Sequence, residues 1–144
     1  MKRLLLIIMM IILPIVGNAQ LKIEERLGRW DKIGCARLGA VRVFEGRDTC
    51  CLVIKSSKEC DATGIFYLGE TKKSAYFTLK DMVALFKQLE VGEWIMVVDA
   101  SGERCYISRY ASPTLLFRFE GLSGNCYVTK WEMKRLLDIV HRQL

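Results

Sequence analysis

Histidine is almost absent from this chain of 144 residues: His141 is the single one. Chemistry that needs two imidazoles, whether a His-rich metal site or a His pair shuttling protons, is therefore excluded. Six cysteines are present, yet none are spaced as C-x-x-C. A dithiol redox centre and a zinc knuckle both lose their usual framework, and no His lies near a Cys to lower a thiol pKa. No G-x-x-x-x-G-K loop occurs to cradle a phosphate. Asp48, Asp99 and Glu120 are scattered over turns and strand ends and do not pair as an acid and a base. These absences point away from an enzyme and imply neither a metal nor a cofactor.

Composition sets the frame for what is there. With 51% hydrophobic residues the chain is too apolar for disorder, and its length suits one domain with a real core. The first charge-free stretch has a separate meaning. Lys2 and Arg3 precede thirteen uncharged residues, Leu4 to Val16, and Gly17-Asn18-Ala19 supplies small residues before a cleavage point. Residues 1–19 read as a secretory signal peptide. Thirteen residues at ~1.5 Å each fall short of a ~30 Å hydrocarbon core, and Pro14 interrupts them, so no stable membrane anchor is expected after cleavage. Removal of Lys2 and Arg3 lowers the formal charge from +6 to +4. The expected address is periplasmic or extracellular.

In an exported chain the cysteines invite a disulfide reading. Cys50 and Cys51 are adjacent in a strand-like run, so their side chains leave opposite faces and cannot bridge without strain. A bridge from either of them to Cys60 across a hairpin is the pairing the spacing allows best. Cys126 reads as a small core residue, and a 105/126 bridge is disfavoured because strands two apart lie ~9.6 Å from each other.

Ser74–Leu89 and Asn125–Val140 align at an offset of 51 residues, sharing Tyr76/Tyr127, Thr78/Thr129, Met82/Met133 and Leu85/Leu136. In each copy a Thr precedes an acid by three residues, a helix-start signature, and apolar residues follow at i, i+3, i+4 and i+7. Four strand-like runs lie upstream of each helix. They are Ala40–Phe44, Cys50–Lys55, Ile65–Gly69 and Ser74–Thr78 in the first copy. In the second they are Trp94–Asp99, Arg104–Arg109, Leu115–Glu120 and Asn125–Thr129. Short polar loops join them, as in antiparallel meanders.

The expected fold is α+β: two tandem β-β-β-β-α repeats, residues 40–92 and 93–144, forming one pseudo-symmetric domain with antiparallel meander sheets and helices packed on one side. Residues 20–39 form an N-terminal segment outside this scheme, with a helical turn around Ile23, Leu27 and Trp30 and a possible edge strand at Ile33–Ala36. Two fused copies can satisfy each other's edges, which favours a monomer.

Alternation along the strands assigns the faces. Phe66, Leu68, Phe117 and Phe119 turn to the core, as do Ala75, Phe77, Cys126 and Val128. Arg42, Phe44, Tyr67, Tyr76, Arg118 and Tyr127 fall on the outer face, where aromatic rings and guanidinium groups could stack on or pair with a ligand. The same residue types are also good strand formers on a wet sheet face. His141 sits in the last turn of the second helix, where a cation suits the dipole.

A duplicated β4-α unit with Arg and aromatics on the face opposite the helices resembles the single-stranded nucleic-acid-binding folds of the Whirly and PUR-repeat families. The resemblance implies a fold and a possible ligand class, but it carries over no residue role, since the Lys-Gly-Lys-Ala-Ala-Leu signature of Whirly proteins is absent. The first expectation for function is an exported, non-catalytic module binding an extended ligand, whether peptide, glycan or protein. Single-stranded nucleic acid is the alternative, followed by a secreted inhibitor or structural protein.

Overall fold

The computed structural model describes residues 30–36, 41–55, 63–122 and 124–144. The signal-peptide region, residues 20–29 and Cys60 lie outside the described residues. Among the described residues eight strands and two helices follow in the order β1 (Asp31–Ala36), β2 (Val41–Glu45), β3 (Cys50–Lys55), β4 (Thr63–Gly69), α1 (Lys72–Gln88), β5 (Trp94–Val98), β6 (Arg104–Ala111), β7 (Thr114–Phe119), β8 (Cys126–Thr129) and α2 (Lys130–His141). The strands form two antiparallel four-stranded meanders, β1-β2-β3-β4 and β5-β6-β7-β8. The tandem β4-α organisation is thus what the molecule adopts.

The first repeat is built from different strands than the sequence suggests. Ser74–Thr78 is not a strand; it forms part of the first two turns of α1. The true fourth strand is β1, drawn from the segment assigned outside the repeat, so the first unit reaches back to Asp31. Local chemistry explains the switch. Thr71 caps α1, its Oγ1 accepting from the Ser74 N–H at 3.2 Å while the Ser74 Oγ accepts from the Thr71 N–H at 3.0 Å. Ala75, Leu79, Met82 and Phe86 then bury one face at helical spacing, outweighing the β propensity of Tyr76, Phe77 and Thr78. Thr78 is no cap; its hydroxyl donates to the Leu68 carbonyl at 2.8 Å.

With Thr71 matched to Thr129, the two copies align at an offset of 58, not 51. The difference of seven residues is close to two helical turns, so the apolar stripe coincides in either register. The second capping box stands where expected. Thr129 Oγ1 accepts from the Glu132 N–H, and Glu132 Oε2 accepts from the Thr129 N–H at 2.8 Å.

Helices and inner sheet faces enclose one core. Val41, Val43, Leu52, Ile54, Phe66 and Leu68 come from the first sheet, Ile107, Leu115, Phe117, Cys126 and Val128 from the second. Ala75 is buried, but on α1, and Phe77 is half exposed on the same helix, so neither belongs to the sheet position assigned to it. The helices pack on each other, and α2 crosses to the other repeat to lie on β1 and β2. A Cβ at Gly34 of β1 would stand 2.7 Å from Ile139 of α2, which shows how tightly this edge is closed. The Gln143 side chain also donates to the Ile33 carbonyl at 3.0 Å.

Where the two sheets meet, β3 lies beside β8 and β4 beside β7. A Cβ at Gly64 would collide with the Phe119 ring. Asp99 supports the same junction: its carboxylate accepts from the Tyr67 N–H at 3.0 Å and from Ser101 and Glu103 in its own turn. The Ala100 N–H donates to the Tyr67 carbonyl at 3.0 Å. No helix of the described residues is long and apolar enough to cross a membrane.

Candidate functional site

The outer faces of the two sheets carry most of the residues singled out by alternation, but in two groups. On the first sheet the register aligns Phe44, Cys51 and Tyr67 in one row and Arg42, Val53 and Ile65 in the next. Trp30 and Phe44 border a cavity of about 210 Å³ together with Cys51, Val53 and Ile65. The Trp30 ring also lies over the Gly46 turn, so an indole roofs part of this face.

On the second sheet the outer rows are Trp94, Ser108, Leu116 and Tyr127, then Met96, Tyr106 and Arg118, then Val98 and Arg104. The Arg118 guanidinium stacks over the Trp94 ring at 5.1 Å. Trp94, Tyr106 and Arg118 line an open groove of about 340 Å³. Tyr127 meets Tyr110 edge to face at 5.3 Å, beside the row that buries Leu116 and Ser108.

Tyr76 does not join either group. It sits half-buried on α1, where its ring stacks on His141 of α2 at 5.1 Å. The recurrence of Tyr76 and Tyr127 in the two copies followed from the wrong offset and has no structural counterpart.

The residues that alternation passed over are Trp94, Met96, Val98 and Tyr106. Trp94, Met96 and Val98 are 45%, 54% and 58% exposed on consecutive outward positions of a single uncharged strand, which makes them a patch and not scattered surface residues. Among the described residues β5 is also an edge strand of its sheet, paired only with β6. On its inner side Val97 and Ile107 face Phe66 and the α1 residues Thr78, Asp81, Met82 and Leu85 across a cavity of about 200 Å³, which Val98 also borders. The lining is apolar except for Thr78 and the exposed Asp81 at the rim. A register argument could have found Trp94 and Tyr106, because the period of two places them with Arg118.

Burial holds four thiols, Cys50, Cys51, Cys105 and Cys126, above their ordinary pKa. Cys35, Cys50, Cys51, Cys105 and Cys126 are free. Burial pushes the Cys51 thiol up to about 11, with the neighbouring Cys50 adding to the effect. Burial, with help from Asp99 and Cys126, pushes Cys105 up to about 12. Burial also raises Cys126, whose Sγ–H donates to the Ile54 carbonyl at 3.6 Å, and Cys50. Such thiols stay protonated near neutrality and fill space. Cys105 and Cys126 stand on β6 and β8 with β7 between them. Among the described residues no group of three acidic, Cys or His side chains could hold a metal ion.

Comparison with known proteins returns nothing: no family model, no curated protein and no solved structure matches the chain.

Proposed function

We propose that the chain is an exported, non-catalytic binding module that takes an extended ligand across the β5 end of the second sheet. The observation that carries this reading is the exposed run Trp94, Met96 and Val98 on an edge strand, flanked by Tyr106 and by Arg118 stacked on Trp94. A flat aromatic and apolar strip with a fixed guanidinium suits a ligand that lies along the surface, contributing stacking and charge-assisted contacts. The protonated core thiols and the use of Asp99 as a turn acceptor are in keeping with a non-catalytic role.

A second reading is favoured by one feature. Arg104 and Arg118 share the outer face with Tyr106 and Trp94, the chemistry on which single-stranded bases stack. Phosphate contacts would make that affinity fall steeply with salt.

The two are separated by presenting arrays of peptides, glycans and single-stranded oligonucleotides to the wild type and to the Trp94→Ala/Arg118→Ala double variant at low and high salt. Capture of one class that the double variant loses supports the binding strip. Peptide capture that persists in high salt supports the first reading, and salt-sensitive oligonucleotide capture the second. Equal capture by both proteins contradicts the placement of the site.

A further inference from the structure

The edge of β5 offers backbone as well as side chains. The Asp99 N–H donates to the Glu103 carbonyl at 2.9 Å, which makes 99/103 a hydrogen-bonded pair of the β5–β6 ladder. Such pairs alternate in an antiparallel ladder, so Val97 with Cys105 and Ile95 with Ile107 are the next bonded pairs in register. Trp94, Met96 and Val98 must then turn their N–H and C=O groups away from β6. Among the described residues nothing hydrogen-bonds to these groups. At the matching edge of the first sheet, α2 covers β1 and Gln143 occupies the Ile33 carbonyl.

Resting on the binding reading above, we infer that β5 accepts an added strand from a partner polypeptide. The two cavities beside the edge define that strand. Its inward side chains meet the apolar space between α1 and Val97, and its outward side chains meet Tyr106 and Arg118. Main-chain bonds to Trp94, Met96 and Val98 supply affinity, and alternate side chains supply selectivity. Charge sets the sequence further: Arg118 and Arg104 on the outer side call for acidic or aromatic residues, while the inner side calls for aliphatic ones. A second copy of the chain fits less well. Pairing two β5 strands about Met96 places Glu93 opposite Asp99 and brings only Trp94, Met96 and Val98, with no acid, to the cations of the other copy.

The probe is a nine-residue capped peptide with Leu at every second position and Glu or Tyr between, compared with a scrambled peptide of equal composition. Titration should show at least tenfold tighter binding of the alternating peptide. Two further versions carry N-methyl groups, one on the Leu set and one on the Glu/Tyr set. One set should lose at least tenfold and the other little, because only alternate N–H groups face β5; which set loses reveals whether the added strand runs parallel or antiparallel. In the protein, Met96→Pro removes one outward N–H at an edge that tolerates proline, and should weaken the alternating peptide at least tenfold while leaving the circular dichroism unchanged.

No binding of the alternating peptide, or an equal effect of the two methylated sets, overturns strand addition. If Trp94→Ala and Arg118→Ala weaken binding while the methylated sets are equal, the outer strip is used without the edge, and the broader reading survives alone. Sedimentation should show a monomer; a dimer that Met96→Pro dissolves would give the edge to a second copy and overturn the partner proposed.

Discussion

The two halves of this molecule share one plan and finish it differently. In the first sheet the leading edge strand, β1, is shut: α2 from the other repeat lies on it, with Ile139 against Gly34 and Gln143 bonded to the Ile33 carbonyl. In the second sheet no strand among the described residues pairs with the outer edge of the leading strand, β5, and α1 faces it across a cavity of about 200 Å³. Equivalent strands also differ in residue choice. β1 presents Asp31 and Lys32 at its start, as protected edges commonly do, whereas β5 is five apolar residues without a charge. A duplicated fold that merely needed stability would close both edges. On the binding reading proposed above, this asymmetry is what makes the second edge the one used.

The largest effect that tests this contrast is a matched truncation. Leu136 on α2 is fully buried, whereas Leu85 on α1 is half-buried and lines the cavity. Leu136→Ala should cost about 3 kcal/mol by urea unfolding and Leu85→Ala only about 1, because a site that already borders open space loses less packing. Equal costs would mean that the two helix seats are equally tight. The converse change adds volume. Gly34→Ala forces Ile139 to move and should cost about 1–2 kcal/mol, while Val97→Leu grows into the cavity and should stay within about 0.5 kcal/mol of the wild type.

Both sheets carry a buried thiol with a raised pKa, so alkali should weaken the whole molecule at once. Cys51 and Cys105 keep their protons in the folded state up to about 11 and 12, whereas the unfolded thiols ionise near 9.0. Above pH 9 the unfolded chain therefore holds fewer protons, and stability falls as pH rises toward the folded values. Urea midpoints should be flat from pH 7 to 8, then decline from pH 9 to 10.5 in the wild type. The decline should shrink in Cys105→Ala. The smallest effect belongs to the exposed strip: Arg118→Ala should change stability by about 0.5 kcal/mol, since its stacking on Trp94 is largely at the surface.

How legible this was from sequence differs between the halves. Strand β3 was readable to the residue, and the second helix announced itself through Thr129 and Glu132. The first repeat misled because Tyr76, Phe77 and Thr78 favour strands locally, while what decides their state is the Thr71–Ser74 cap and burial of Ala75 and Leu79 in the core against α2 and β4. The repeat offset misled because seven residues return a helix to nearly the same face. Of the six outer-face residues, Arg42, Phe44 and Tyr67 lie on one sheet and Arg118 and Tyr127 on the other, with Tyr76 on a helix. Alternation orders residues within a strand but not the relation between sheets. The open edge itself was invisible, because it depends on where the two helices come to rest.

Amide hydrogen exchange resolved to single residues tests the central claim most directly. In the free protein the amides of Trp94, Met96 and Val98 should exchange quickly, and those of Ile95 and Val97 slowly. Saturation with the alternating peptide should slow Trp94, Met96 and Val98 by at least tenfold and leave β1 unchanged. Slow exchange at these three amides before any peptide is added, or protection by the peptide elsewhere and not at β5, would contradict it.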